Sequence, residues 1–224
     1  MDLLDKYQLK EWWLQALTAS QRNQVANDYR PMGLPIGETP YLYQDLDKTD
    51  SNNGFGKLSL LLTLSYIAGD EAKHILQTKV ENELLQCYTA PDSNLIDVHL
   101  ALASLIKHHY SLRTAPEHYE KAKEFCLMQI SISSKLVKKF RHIEKPKELK
   151  KLQNITGIKD PYYDELQMLP SHTGYKQLAI ILEKEGNIEG ALKLSKQALK
   201  QGWTDNYEKR IDKLNQKLAK QKKN

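Results

Sequence analysis

The chain has 224 residues, 40% hydrophobic and 27% charged, with ten glycines and eight prolines, a composition that excludes a disordered chain and suits a folded one. Its formal net charge is a mild +5, and its two cysteines, Cys87 and Cys126, have no CxxC spacing; no disulfide framework is implied and a reduced, cytoplasmic setting is expected. The opening MDLLDKYQLK lacks the apolar core of a secretory signal, and the longest apolar run, Leu58–Ala68, is far below the ~20 residues of a membrane span, so no membrane association is expected.

In chain order, Leu9–Leu17 reads as a short helix carrying Trp12 and Trp13, which as neighbours cannot both point into one core. Thr18 and Gln21 have the spacing of a capping box that opens a second helix, Ala19–Arg30, ended by Pro31. Residues Pro31–Gly56, with three prolines and four glycines, read as a long loop. Lys57–Ala68 is apolar nearly all round, the pattern of a buried helix. Gly69 breaks it, and Asp70 is positioned to cap a helix with Ile75, Leu76, Val80, Leu84 and Cys87 on one stripe. The helix Asn94–Arg113 follows, with Leu95, Val98, Leu102, Leu105, Ile106 and His109 at three- and four-residue steps. Thr114 and Glu117 have capping-box spacing, with Pro116 in the first turn, and open one long helix reaching Phe140. Pro146 permits a fresh helix, Gly157 can close it, and Asp160-Pro161 starts a short element that Pro170 ends. Ser171 is placed to cap a helix to Glu185, Gly186 supplies a left-handed stop, and a second helix runs Ile188–Gln201 to Gly202. Asp205 and Glu208 suggest a third capping box before a last helix, whose narrow stripe of Tyr207, Ile211, Leu214 and Leu218 suits a cap on one side of a stack, with Trp203 wedged beside Ile211 and Leu214. The pattern predicts more than ~60% helix and no sheet beyond a stray bridge.

Tyr175, Leu178, Ala179, Leu182, Gly186, Ile188, Ala191 and Ala198 carry a further pattern. Large residues alternate with small ones so that two helices pack closely, and the order resembles the tetratricopeptide repeat over about 34 residues, one repeat length. Ser195 stands where that family usually has an aromatic, and Trp203 where it has a proline. Ala103, Ile106, Tyr110, Tyr119 and Ala122 form a weaker echo with a longer turn. The resemblance implies an all-α fold of stacked helical hairpins, a TPR-like α-solenoid with a helical N-terminal region and a C-terminal capping helix. The expected organisation is residues 1–55, N-terminal helices and loop; 56–133, helical hairpins; and 134–224, a basic linker hairpin, the repeat-like hairpin and the cap.

The resemblance also implies a non-catalytic scaffold or adaptor that holds a peptide or protein segment in a groove lined by the first helix of each hairpin. By position, the partner contacts are Lys176, Gln177, Ile180 and Lys184. They lie off the packed stripe because consecutive residues step ~100° around a helix, and the two lysines suit a carboxylate or acidic peptide.

No catalytic, metal or cofactor constellation emerges. Gly54-Phe55-Gly56-Lys57 lacks the earlier glycine and following hydroxyl of a phosphate loop. His108 and His109 are adjacent and should diverge around a helix, and no HExxH or Cys/His pair is present. Glu183 and Glu185 read as solvent-facing. The alternative partner is nucleic acid, met by the basic stretch Lys135–Lys151, with Lys138, Lys139, Arg141 and Lys145 around Phe140, together with the basic C-terminal tail.

Overall fold

The computed structural model describes residues 1–31, 38–45, 56–90, 93–141, 147–158 and 169–221. Among these the protein is all-helical, 77% helix without a strand, above the ~60% that periodicity predicts. An isolated bridge joins Leu169 and Trp203. Gly54-Phe55, most of the loop before them, Lys145 and the element expected from Asp160-Pro161 lie outside the described residues. Two compact units divide the chain at Leu105/Ile106.

In the first unit, α1 (Leu3–Lys6), α2 (Lys10–Ala16) and α3 (Ala19–Asp28) precede a short 3-10 turn at Tyr41–Tyr43, then α4 (Lys57–Ile67) and α5 (Asp70–Cys87). The Thr18–Gln21 capping box forms in both directions. The adjacent tryptophans separate as helical geometry requires. Trp13 is buried and donates its indole N–H to Tyr43 Oη at 3.2 Å; half-buried Trp12 carries the Lys79 ammonium 5.4 Å from its ring. Helix α4 is buried nearly all round, through Leu58, Leu60, Leu61, Leu62, Leu64 and Ser65. Gln77 on α5 ties α4 to α6 (Leu95–Ser111): its amide donates to Ser65 Oγ at 3.0 Å and Ser104 Oγ at 3.1 Å, all buried. Glu83 sits between Lys57 and Lys79, each at 2.9 Å. Burial opposes its charge, but hydrogen bonds from the two lysines outweigh that and hold its carboxyl below the usual glutamate range. The cap of α5 is Gly69; Asp70 is the first helical residue.

In the second unit, α7 (Pro116–Ser131) and α8 (Ser133–Arg141) replace the single long helix expected there, because the chain turns at Ile132. Ala115, not Thr114, occupies the α7 cap position, without a side-chain hydrogen bond. Helix α9 (Lys147–Thr156) leads to α10 (Thr173–Lys184), α11 (Ile188–Gln201) and α12 (Tyr207–Gln221).

The α10–α11 hairpin forms where its residue pattern places it. Gly186 has φ +84°, and the Asn187 and Gly186 N–H groups return to Leu182 and Glu183 carbonyls at 2.8 and 3.3 Å. Gly202 ends α11 the same way at φ +88°, with Trp203 and Gly202 bonded to Ala198 and Leu199. Both are Schellman stops, which need a residue tolerant of positive φ. Ala179, Ile188, Ala191 and Leu214 form a buried cluster joining α10, α11 and α12, flanked by Leu182, Leu192, Leu194 and Leu218.

Two local expectations change. The α10 cap is buried His172, not Ser171: its Nδ1 accepts the Tyr175 N–H at 3.3 Å. Asp205 accepts the Asn206 N–H through one oxygen and Lys176 Nζ through the other, ahead of a helix that begins at Tyr207. Trp203 is buried, with the His172 ring at 4.7 Å and the Phe140 ring at 6.2 Å beside it.

Gly174 packs closely against α7. Its N–H donates to Gln129 Oε1 at 2.6 Å, and a Cβ there would stand 2.9 Å from the Cys126 carbonyl oxygen. Cys126 is buried between the helices, and burial pushes its thiol up to about 12.

Two predictions follow from packing and burial. Gly174→Ala and Ala191→Leu should each overpack a helix contact and cost about 1–3 kcal/mol, read from urea unfolding by circular dichroism; unchanged midpoints would contradict the packing. In the first unit, burial pulls the His99 imidazole down from 6.5 to about 4. Between those values the unfolded chain holds more protons at this site, so the His99 contribution to stability is flat above pH 6.5 and falls below it by up to ~1.4 kcal/mol per pH unit. The fall in melting temperature between pH 7 and pH 5 should be smaller in His99→Gln.

Candidate functional site

The face of α10 opposite its packed stripe meets one face of α12 across an open groove of about 630 Å³. Helix α10 contributes Lys176, Ile180, Glu183 and Lys184, whose steps of four and three residues keep them on one side. Helix α12 and its lead-in contribute Asp205, Asn206, Lys209, Arg210, Lys213 and Lys217, again at one-turn steps. The floor beneath is the Ala179–Leu214 packing, which fixes the two walls relative to each other.

Six cations face two carboxylates in this groove, a surplus of four positive charges. Asp205 is met by Lys176 at 3.1 Å. Glu183 is met by Lys217 at 2.7 Å, Arg210 at 3.4 Å and Lys213 at 3.5 Å. Its side chain is only 12% exposed, so the solvent-facing role expected for Glu183 is incorrect: the packing of α12 turns it into a counter-ion at the base of the groove. The hydrogen bond from Lys217, with the charges of Lys213 and Arg210, holds its carboxyl below the usual range against the opposing effect of burial.

Three of the four residues named from the hairpin position share this groove. Lys176 stands at one end beside Asp205, and half-buried Ile180 supplies an apolar surface midway. Lys184 stands at the other end, its ammonium 3.0 Å from Tyr110 Oη and 5.6 Å from that ring's centre. Gln177 does not line the groove; its amide nitrogen is buried. Glu185, beyond the groove, accepts from Tyr119 Oη at 3.0 Å and Lys123 Nζ at 3.1 Å.

The cations of α12 were not legible as part of a site. Lys209, Arg210, Lys213 and Lys217 repeat at helical spacing, which marks them as one face, but nothing in the local pattern says that this face looks onto Lys176 and Lys184.

The alternative set lies on α8. Lys138 and Lys139 are exposed, whereas Leu136 is buried and Phe140 meets Trp203 edge-on. Arg141 reaches across to donate to the Gln201 carbonyl at 3.2 Å, at the C-terminus of α11 where a cation is favourable. Lys145 lies outside the described residues.

Among the described residues no group of three or more His, Cys, Asp or Glu side chains is arranged to hold a metal ion. No described helix is long and apolar enough to cross a membrane. No protein-family model matches the chain, and no curated protein or solved structure matches it.

Glu183→Gln should lower stability by about 1 kcal/mol at neutral pH, because three cations lose their shared carboxylate in a largely screened setting. A depressed carboxyl stabilises above its unfolded pKa and ceases to do so as pH falls through the folded one. The difference from the parent protein should therefore shrink in acid and in high salt, as followed by thermal unfolding.

Proposed function

We propose that the protein is a non-catalytic interaction scaffold or adaptor of tetratricopeptide-like construction, working in the cytoplasm, whose α10–α12 groove holds an acidic segment of a partner protein. The observation that carries this reading is the surplus of four positive charges on two facing helix walls with an apolar residue, Ile180, between them. A peptide with carboxylates spaced along it neutralises such a wall at several points, and steering by the summed charge speeds its arrival.

The hairpin geometry supports the same reading. Helix α10 is the first helix of its hairpin, and α12 stands in the place of the first helix of a following one. In the repeat family that α10 and α11 resemble, the ligand groove lies between such first helices. The Schellman turn at Gly186 and the buried Ala191 and Ala198 fit that construction. The nucleic-acid alternative, built on Lys138, Lys139, Arg141 and Lys145, is less favoured because Arg141 is engaged by the Gln201 carbonyl.

The test is fluorescence anisotropy with a labelled oligoglutamate peptide, on the parent protein and on Lys176→Glu with Lys184→Glu. The parent should bind with an affinity that falls steeply with salt, and the double reversal should weaken binding roughly tenfold or more, about 1.4 kcal/mol, with an unaltered helical spectrum. Equal binding by a folded double variant would mean that this groove is not the partner surface. Tight binding of a labelled single-stranded oligonucleotide, lost in Lys138→Glu with Lys139→Glu, would favour the alternative.

A further inference from the structure

The α10 wall of the groove carries Lys176, Ile180 and Lys184, in two steps of four residues. A step of four residues rises about 6 Å along a helix and turns about 40° around it. It therefore spans about 6.2 Å at the Cα radius and about 6.9 Å at a side-chain radius of about 5 Å. The three side chains form one oblique row along α10, cation, apolar, cation, of the kind that builds a helix ridge. Helix α12 runs the same way beside that row: Asp205 meets Lys176 at 3.1 Å at one end, and Lys217 meets Glu183 at 2.7 Å toward the other. The cations of α12 thus accompany the row along its length instead of crossing it at one point.

An extended peptide repeats on the same scale. Its side chains alternate between two sides, so residues i, i+2 and i+4 face one way. At about 3.3–3.4 Å per residue these stand about 6.6–6.8 Å apart, inside the range set by the row on α10. A helical ligand has a different need, because it docks through an apolar stripe. The groove lining offers one apolar residue, half-buried Ile180, among nine polar ones.

We infer that the groove selects an extended segment of the form acid-x-apolar-x-acid, with its carboxylates at the Lys176 and Lys184 ends and its apolar side chain on Ile180. This rests on the reading of the groove as a site for an acidic segment, and adds to it the spacing of the charges and the place of the apolar residue. The two intervening residues face away from α10, so their identity has little effect. At the first end the ligand carboxylate shares the Lys176 ammonium with Asp205; at the second it meets Lys184, which donates to the neutral Tyr110 hydroxyl at 3.0 Å. Charge alone would favour any acidic sequence equally. The row favours one order of residues over its permutations, because only that order brings the apolar side chain to Ile180 while both acids reach a cation.

Four labelled peptides are compared on the full chain by fluorescence anisotropy at low salt: glycine-flanked Glu-Thr-Leu-Thr-Glu; the permuted Glu-Glu-Thr-Leu-Thr of the same composition and charge; an alanine-rich helix with Glu, Leu and Glu at four-residue intervals; and oligoglutamate. The alternating peptide should bind roughly fivefold or more tightly than the permuted and helical ones, the difference made by one apolar contact. Ile180→Ser, with an unaltered helical spectrum, should remove most of that preference. If that variant misfolds, the comparison of peptides on the parent protein still decides. Binding of oligoglutamate with equal affinities for the alternating and permuted peptides would overturn the selectivity and leave the groove as a site for acidic segments at large. Tighter binding of the helical peptide would overturn the extended form. Failure of all four to bind would overturn the groove reading itself, and this inference with it.

Discussion

In the second unit the placement of every later helix depends on how α10 begins. The first N–H groups of a helix have no partner within it, and here they start inside the protein, where water cannot serve them. Gln129, a buried side chain near the end of α7, accepts the Gly174 N–H, and buried His172 accepts the Tyr175 N–H. Only glycine at 174 lets the two backbones come this close, since a Cβ would press on the Cys126 carbonyl and Gln129. His172 also organises its surroundings. Trp203 packs edge-on to His172, and Tyr207 directs its hydroxyl to the His172 carbonyl at 3.4 Å. Thus the exit from α11 and the start of α12 are both referred to the start of α10.

A second constraint is electrostatic. Helix α12 offers only a narrow apolar stripe, with Tyr207 and Leu214 buried and Leu218 half-buried, and it brings four cations toward a face that already carries Lys176 and Lys184. Left to themselves these charges would oppose docking. Glu183 lies where three of them converge, and Asp205 takes Lys176. The remaining positive surplus faces the open groove, where an acidic ligand would lower the repulsion further. The positive surplus on which the proposed binding of an acidic segment rests is therefore also the one that Glu183 must hold in check.

The first unit solves a different problem, a helix that is apolar all round. Helix α4 buries leucines on several sides, so it needs neighbours on several sides. Gln77 orients two of them through a buried hydroxyl on α4 and another on α6. A polar group in such a place fixes register, because displacement along either helix would leave it without partners.

The sequence by itself determined the features that arise within one or two helical turns. The helical class, the buried character of Lys57–Ala68, the Thr18–Gln21 box and the stops at Gly186 and Gly202 all rest on backbone geometry and periodicity spanning a few residues. The face carrying Lys176, Ile180 and Lys184 follows from the same period. Tertiary structure decided what those faces meet. His172 replaced Ser171 as the cap because its ring also packs against Tyr175 and Trp203, and Gln177 turned from the groove into a buried setting. Glu183 became a counter-ion through cations 27 to 34 residues later in the chain. His118 met His109 only after a turn reversed the chain. Local pattern fixes which side of a helix a residue occupies; what stands opposite is set by the packing of other helices, and no short-range signal encodes it.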